Sequence, residues 1–202
     1  TEAGHGFLAF DYSGHGLSDG AFEDGTISAW REDALAAIDA HSTGPIVLVG
    51  SSMGGWMALL AALARPARVA GLVLIAPAPD FTEKLMWPEF SAEAQAEIMD
   101  QGFTLRPSDY DEPYTITRAL IEDGRTWQIL DAPIKLNTPV RILQGMQDAD
   151  VPWKHAERLV ESITSEDVVF TLIKDGDHRL SRDQDIARLK TTCADISIAA
   201  RA

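Results

Sequence analysis

The pentapeptide GSSMG, residues 50–54, joins an apolar strand-like run to an apolar helix-like run and constrains the fold more than any other feature. It fits G-x-S-x-G in one register only, with Ser52 at the centre. In this pattern the serine occupies a strained turn, with its hydroxyl exposed above the strand end. Both glycines are expected to be required, because strand and helix backbones leave no space there for Cβ atoms. The motif predicts Ser52 as a nucleophile; the alternative is a plain structural turn.

Short apolar strands alternate with helical segments along most of the chain. The predicted strands are Phe7–Tyr12, Ile46–Gly50, Val69–Pro77, Val140–Gln144 and Val168–Ile173. Helices are predicted after Thr26 or Ser28, over Met53–Ala64, from about Trp153 to Ile163, and at the C-terminus. Because each strand is nearly all apolar, we expect a mostly parallel α/β sheet with helices on both faces.

The pattern changes between residues 80 and 135, where "FTEKLMWPEF", "SAEAQAEIMDQGF" and "YTITRALIEDGRTWQIL" are interpreted as helical or irregular. No convincing parallel strand is found there. We therefore predict that residues 80–135 form a small helical cap inserted into one core. Residues 1–79 are then the first part of that core, with the serine motif, and residues 136–202 are the second part.

A serine hydroxyl is a poor nucleophile without a base, so a carboxylate and a histidine are expected downstream, in that order. Three of the five histidines precede Ser52, and His155 lies within a predicted helix. His178 follows the last strand on the loop "KDGDHRLS", where a base is expected. The alternative for His178 is an ordinary surface histidine.

The acid is expected in "ILQGMQDADVPW", where Asp148 and Asp150 both follow a strand end closely. We favour Asp148 over Asp150, because the loop must finish at Val151-Pro152 before the next helix begins. The role of such a carboxylate is to hold the histidine in one tautomer and to stabilise its protonated form.

Composition argues against several other classes of function. With 31 acidic and 17 basic side chains the formal charge is −14, which repels nucleic acid and anionic lipid surfaces. No apolar run is long enough to span a bilayer. The single cysteine cannot form a disulfide within the sequence, which fits a reducing compartment. No cysteine–histidine cluster suggests a metal, and no cofactor is expected.

The stretches "FDYSGHGLSDG", "IVLVGSSMGGW", "GMQDADVPW" and "DHRLSRDQDI" resemble the α/β-hydrolase superfamily. More narrowly, they resemble the palmitoyl-protein thioesterase and acyl-glucuronide esterase branch, that of α/β-hydrolase domain protein ten and its bacterial relatives. The resemblance implies an α/β-hydrolase fold and a catalytic triad of Ser52, Asp148 and His178. It also implies hydrolysis of a small-molecule or protein-linked acyl ester or thioester, an oxyanion donor at the Met53 N–H, and a cytoplasmic bacterial protein.

The first three strands of that family have no counterpart in the sequence, so we expect an N-terminally truncated fold. The second oxyanion donor is then expected upstream of Thr1, and losing one donor typically lowers turnover by about 10²–10³-fold. The alternative function is therefore a catalytically silent binding protein of this fold, or an inactive fragment.

Four apolar residues of the predicted cap are candidates for an acyl pocket: Phe81, Met86, Trp87 and Trp127. Substrate pockets are lined mainly by apolar and aromatic side chains. The alternative for each residue is ordinary packing between the cap and the core.

Overall fold

The computed structural model describes residue 4, residues 6–106 and residues 113–199. Its α-helices are α1 (Ile27–His41), α2 (Met53–Ala64), α3 (Ala92–Gln101), α4 (Arg118–Thr126), α5 (Trp153–Ser162) and α6 (Asp183–Ala199). Its strands are β1 (Ile46–Ser51), β2 (Val69–Ile75), β3 (Phe103–Arg106), β4 (Tyr114–Thr117), β5 (Val140–Gly145) and β6 (Val168–Ile173). Short 3-10 turns cover Phe22–Asp24 and Trp87–Glu89, and a π-helix covers Thr82–Met86.

The main sheet of the described residues has four parallel strands in the order β1-β2-β5-β6. Strand β2, VAGLVLI, is buried along almost its whole length, as expected for a strand covered on both faces. Because the strands are parallel, their carboxyl ends meet at one edge of the sheet. The predicted parallel α/β sheet is confirmed, and this edge collects the loops that follow β1, β5 and β6.

Helices cover both faces of the sheet. Leu74 of β2 packs with Leu59 of α2 and Leu159 of α5 in one buried apolar cluster. The next residue, Ile75, points to the other face, where it belongs to a second cluster against which Leu189 of α6 packs. Burial of each such side chain contributes about 1.5–3 kcal/mol to stability. Strand β1, which leads into Ser52, thus pairs with β2 along one edge, and α2 packs against one of its faces.

The segment that was predicted as a cap has its own small core. Ile98 of α3, Ile116 of β4 and Ile121 of α4 are buried together, and four partly buried side chains pack against them: Met86, Trp87, Phe90 and Met99. Strands β3 and β4 form an antiparallel pair, with Thr104 opposite Ile116. The domain boundaries at residues 79/80 and 135/136 stay a prediction.

Two predictions of secondary structure are wrong. Residues 7–12 form no strand, because no described strand pairs with them and the free edge of β1 stays unpaired; Phe7 is 81% exposed. Tyr114–Thr117 is a strand rather than helical or irregular, because it pairs antiparallel with Phe103–Arg106 and buries Ile116 in the cap core. In the part of the chain that the structure describes, no helix has the length and apolarity needed to cross a membrane.

Candidate active site

Ser52 lies on the sharp turn between β1 and α2, in a backbone conformation that L-residues rarely adopt. Its φ is 53° and its ψ is −120°. Its N–H donates to the Ile75 carbonyl at 2.9 Å, and its carbonyl accepts from the N–H groups of Gly55 (2.9 Å) and Ala78 (3.1 Å). Such a conformation costs about 1–3 kcal/mol and persists only where surrounding contacts enforce it. These backbone bonds to the end of β2 and to α2 hold the Ser52 side chain at the sheet edge.

Only one of the two motif glycines is required by close packing. A Cβ atom on Gly50 would lie 2.2 Å from the Gly54 carbonyl oxygen and 2.8 Å from the Gly55 nitrogen. A Cβ on Gly54 would meet nothing within 4 Å outside its own helix. The expectation that both glycines lack space is therefore right for Gly50 and wrong for Gly54.

We expect Gly50→Ala to lower the free energy of unfolding by about 1–3 kcal/mol or more, because the new methyl group collides with backbone that cannot rotate away. The matched control is Gly54→Ala, which should leave stability unchanged or raise it by up to about 1 kcal/mol, since alanine favours helix more than glycine. Urea denaturation of the two variants measures the difference. Equal losses in both would contradict the steric asymmetry.

The structure brings His178 between Ser52 and Asp148. The His178 Nε2 lies 3.1 Å from Ser52 Oγ, and its Nδ1 lies 2.9 Å from Asp148 Oδ2. An ionised carboxylate can only accept a hydrogen bond, so Nδ1 carries the proton and donates to Asp148. The Nε2 lone pair is then directed to the serine hydroxyl, which is the geometry that removal of the hydroxyl proton requires.

Asp148 is held by a dense set of donors. Its Oδ1 accepts from the N–H groups of Asp150 (2.9 Å) and Val151 (2.8 Å), and its Oδ2 accepts from Gln144 Nε2 (2.9 Å) as well as from His178. Burial by itself raises the pKa of Asp148, but the hydrogen bonds and the His178 charge together lower it below its ordinary value. The side chain is therefore a buried carboxylate that stays ionised near neutral pH.

The loop that carries the acid and the loop that carries the histidine are joined at the sheet edge. The Gln147 N–H donates to the Gly176 carbonyl at 2.9 Å. A Cβ atom on Gly145 would lie 2.3 Å from the same carbonyl and 2.5 Å from that of Asp177, so only glycine permits this approach. Close backbone packing thus sets the separation of Asp148 and His178.

The surroundings of His178 make it a stronger base than an isolated histidine. The hydrogen bond to Asp148 raises the pKa of His178 above its ordinary value of 6.5, whereas burial acts in the opposite direction. The charges of Asp148, Asp150 and Asp177 raise it further.

Sequence reasoning missed Gln144, which is fully buried at the end of β5. Its Nε2 donates to Asp148 and also lies 3.0 Å from the Val151 carbonyl, so it braces both ends of the acid loop. The available signal in the sequence was a polar residue, Gln144, that directly follows the apolar pair Ile142-Leu143 and precedes the acid loop.

Asp80, at the start of the cap segment, was also missed. It is fully buried with a φ of 57°, and its carboxylate accepts from the N–H groups of Ile129 (2.8 Å) and Leu130 (3.0 Å). Beside it, His155 Nε2 lies 2.7 Å from the Pro79 carbonyl; burial lowers the pKa of His155, so the neutral ring donates to that oxygen. The two ends of the cap segment are therefore tied together and to α5.

The four predicted pocket residues lie in two groups. Met86 and Trp87 pack on the cap core, and the Arg125 guanidinium lies 4.7 Å from the centre of the Trp87 ring. Phe81 and Trp127 pack on a buried apolar cluster of α1, α2 and α4; the Phe81 ring meets Trp56 edge-on, with centroids 5.6 Å apart. Contact of any of the four with a substrate stays a prediction.

Met53 is the first residue of α2, and its side chain packs on the same cluster as Phe81. The N–H groups of the first helical turn have no partner within the helix, and they carry the positive end of its dipole. The Met53 N–H can therefore donate to a negative oxygen beside Ser52, and its role as an oxyanion donor stays a prediction.

One group of side chains in the described ranges has metal-ligand spacing: Asp148, Asp150 and His178, each with one ligand atom within 4.8 Å of the others. Two of these three residues already form the hydrogen-bonded pair described above. The expectation of a metal-free site stays a prediction.

Comparison with known proteins identifies relatives over almost the whole chain. A family model described as alpha/beta hydrolase family matches residues 1–189. Human palmitoyl-protein thioesterase ABHD10, mitochondrial, is 39% identical over 195 residues, which are 96% of this chain and 63% of that protein. The chain therefore spans less than two thirds of the length of this relative.

Solved structures give the same result. A crystal structure from Agrobacterium vitis S4, described as that of a hydrolase, has 50% identity and a TM-score of 0.88, covering 92% of this chain and 74% of that one. Mouse alpha/beta hydrolase domain-containing protein 10 has 38% identity and a TM-score of 0.83, covering 92% of this chain and 75% of that one. The resemblance inferred from the motifs and the predicted fold class are both confirmed.

Proposed function

The chain belongs to the alpha/beta hydrolase family, and from that premise we propose that it is a serine hydrolase acting on carboxylic esters or thioesters. The observation that carries the proposal is the continuous hydrogen-bonded chain from Ser52 Oγ through His178 to Asp148. Nucleophile, base and orienting acid are joined in the order that acyl transfer requires.

In the first half of the reaction, Ser52 Oγ attacks the acyl carbonyl carbon while its proton passes to His178 Nε2. The His178 ring is then positively charged, and Asp148 stabilises it through the Nδ1–H bond. The carbonyl oxygen becomes negative and accepts a hydrogen bond from the Met53 N–H. Collapse of this intermediate breaks the ester or thioester bond, and the leaving alcohol or thiol takes the proton from His178.

In the second half, His178 removes a proton from water, and the resulting hydroxide attacks the acyl-enzyme. The second tetrahedral intermediate collapses to release the carboxylic acid, and the Ser52 oxygen recovers its proton from His178. Both halves use the same base and the same oxyanion donor, so no cofactor enters the balance of atoms.

A thioester with a long acyl chain is the substrate class that we favour. The mammalian relatives are named palmitoyl-protein thioesterase. In this chain, Phe81 belongs to the same apolar cluster as Met53, the residue that follows the nucleophile. An acyl chain bound beside Ser52 would therefore meet apolar side chains of the cap segment.

The test is a matched series of acyl p-nitrophenyl esters and acyl thioesters from two to sixteen carbons, measured with the protein and with Ser52→Ala. We expect Ser52-dependent release of acid, with kcat/KM rising with chain length and thioesters cleaved at least as fast as esters. Activity that survives Ser52→Ala would contradict the serine mechanism. A preference for acetyl groups would contradict only the long-chain substrate.

The cytoplasmic location expected from the sequence stays a prediction. The mammalian relatives are named as mitochondrial proteins.

A further inference from the structure

Asp150 is a second carboxylate beside His178 that the proposed mechanism does not use. One oxygen of Asp150, one oxygen of Asp148 and one ring nitrogen of His178 all lie within 4.8 Å of one another. Asp148 is buried and accepts four hydrogen bonds, whereas Asp150 is exposed. His178 therefore has two neighbouring carboxylates: Asp148, which is held in place by its hydrogen bonds, and Asp150, which is exposed to solvent.

We infer that Asp150 is a positioning residue for His178, whose negative charge stabilises the protonated ring and partly replaces Asp148 when that residue is neutralised. The inference rests on the proposed function, because it concerns the protonated state of His178 during attack by Ser52. It assigns a role to the carboxylate of Asp150 that is separate from the role of its backbone.

Two charges about 5 Å apart near a protein surface still interact appreciably, because solvent screens them only in part. The acidic groups that act on His178 are Asp148 and Asp150, from the loop after β5, and Asp177, from its own loop. Asp177 is occupied differently, since its Oδ1 accepts the N–H of Leu180 at 2.9 Å. Among these acids, Asp150 is the one besides Asp148 whose carboxylate joins the three-atom group with the ring nitrogen.

A purely structural role for Asp150 makes a different prediction. Its N–H donates to Asp148 Oδ1 at 2.9 Å and closes the acid loop. Asp150→Asn keeps this backbone bond and the size of the side chain, and removes only the charge. A structural role therefore predicts no change in activity or in its pH dependence for this variant.

The test is a double-mutant cycle of Asp148→Asn and Asp150→Asn, with Asp177→Asn as the matched loss of charge beside the same ring. The rate of labelling by a fluorophosphonate and kcat/KM for a p-nitrophenyl ester are measured between pH 5 and pH 9. In the otherwise unchanged protein, we expect Asp150→Asn to lower kcat/KM by about two- to fivefold and to shift the acidic limb to lower pH. In the Asp148→Asn background, the further loss should be about tenfold or more.

An effect of Asp150→Asn that is equal in both backgrounds, or no larger than that of Asp177→Asn, would overturn the inference and leave the proposed function intact. An unchanged protein that is not labelled at all would overturn the proposed function, and the role of Asp150 with it. Thermal unfolding of each variant separates loss of folding from loss of activity.

Discussion

His178→Ala is expected to lower kcat/KM for acyl p-nitrophenyl esters by at least about 10⁴-fold, because no other base takes the proton from Ser52. In the described structure, His178 Nε2 lies 3.1 Å from the Ser52 oxygen. The histidine side chain is only 23% exposed, so its truncation also removes packing and a hydrogen bond to Asp148. Steady-state kinetics measure the loss of activity, and thermal unfolding shows whether the variant is folded at the assay temperature.

The control for this variant is His41→Ala, an exposed histidine at the end of α1. It truncates the same type of side chain at an exposed position outside the triad. Activity should stay within about twofold, as expected of a surface substitution away from the site. If His178→Ala retained more than a tenth of the original activity, the assignment of His178 as the general base would be wrong.

Asp148→Asn is expected to lower kcat/KM by about 10²–10⁴-fold without unfolding the protein. An amide can offer an N–H towards His178 Nδ1, which favours the tautomer whose proton is on Nε2 and faces Ser52. The variant also removes the hydrogen bond and charge that raise the pKa of His178 above 6.5. The unchanged protein should therefore lose activity as pH falls through a value above 6.5. In the variant, the acidic limb of the pH profile should lie at a lower pH than in the unchanged protein.

The control for Asp148→Asn is Asp167→Asn, which removes one charge at the amino end of β6, far along the strand from the site loops. It should leave both the rate and the pH profile unchanged. An Asp148→Asn variant with an unshifted acidic limb and activity within tenfold of the original would show that Asp148 does not act on His178.

Elements with strong local patterns could be predicted from the sequence. Helix α2 and strand β6 have the predicted bounds, because a mainly apolar run between turn residues leaves few alternatives. The three candidate site residues could be predicted because the carboxyl ends of parallel strands share one edge of the sheet. Chain order alone then placed Ser52, Asp148 and His178 on neighbouring loops.

What could not be predicted depends on partners distant in sequence. The apolar run at residues 7–12 has the composition of a strand, but composition does not say whether a neighbouring strand is present to pair with it. Asp80 holds backbone groups 49 and 50 residues away, and no local pattern shows this. The space for a Cβ atom at Gly54 likewise depends on the direction in which α2 runs from the turn, and the motif does not specify that direction.

The most direct test of the central claim is the intact mass of the protein before and after reaction with a fluorophosphonate. Ser51→Ala and Ser52→Ala serve as adjacent, matched variants. We predict a single adduct on the unchanged protein and on Ser51→Ala, and none on Ser52→Ala. The absence of an adduct on the unchanged protein, or an adduct that persists on Ser52→Ala, would contradict the claim that Ser52 is an activated nucleophile.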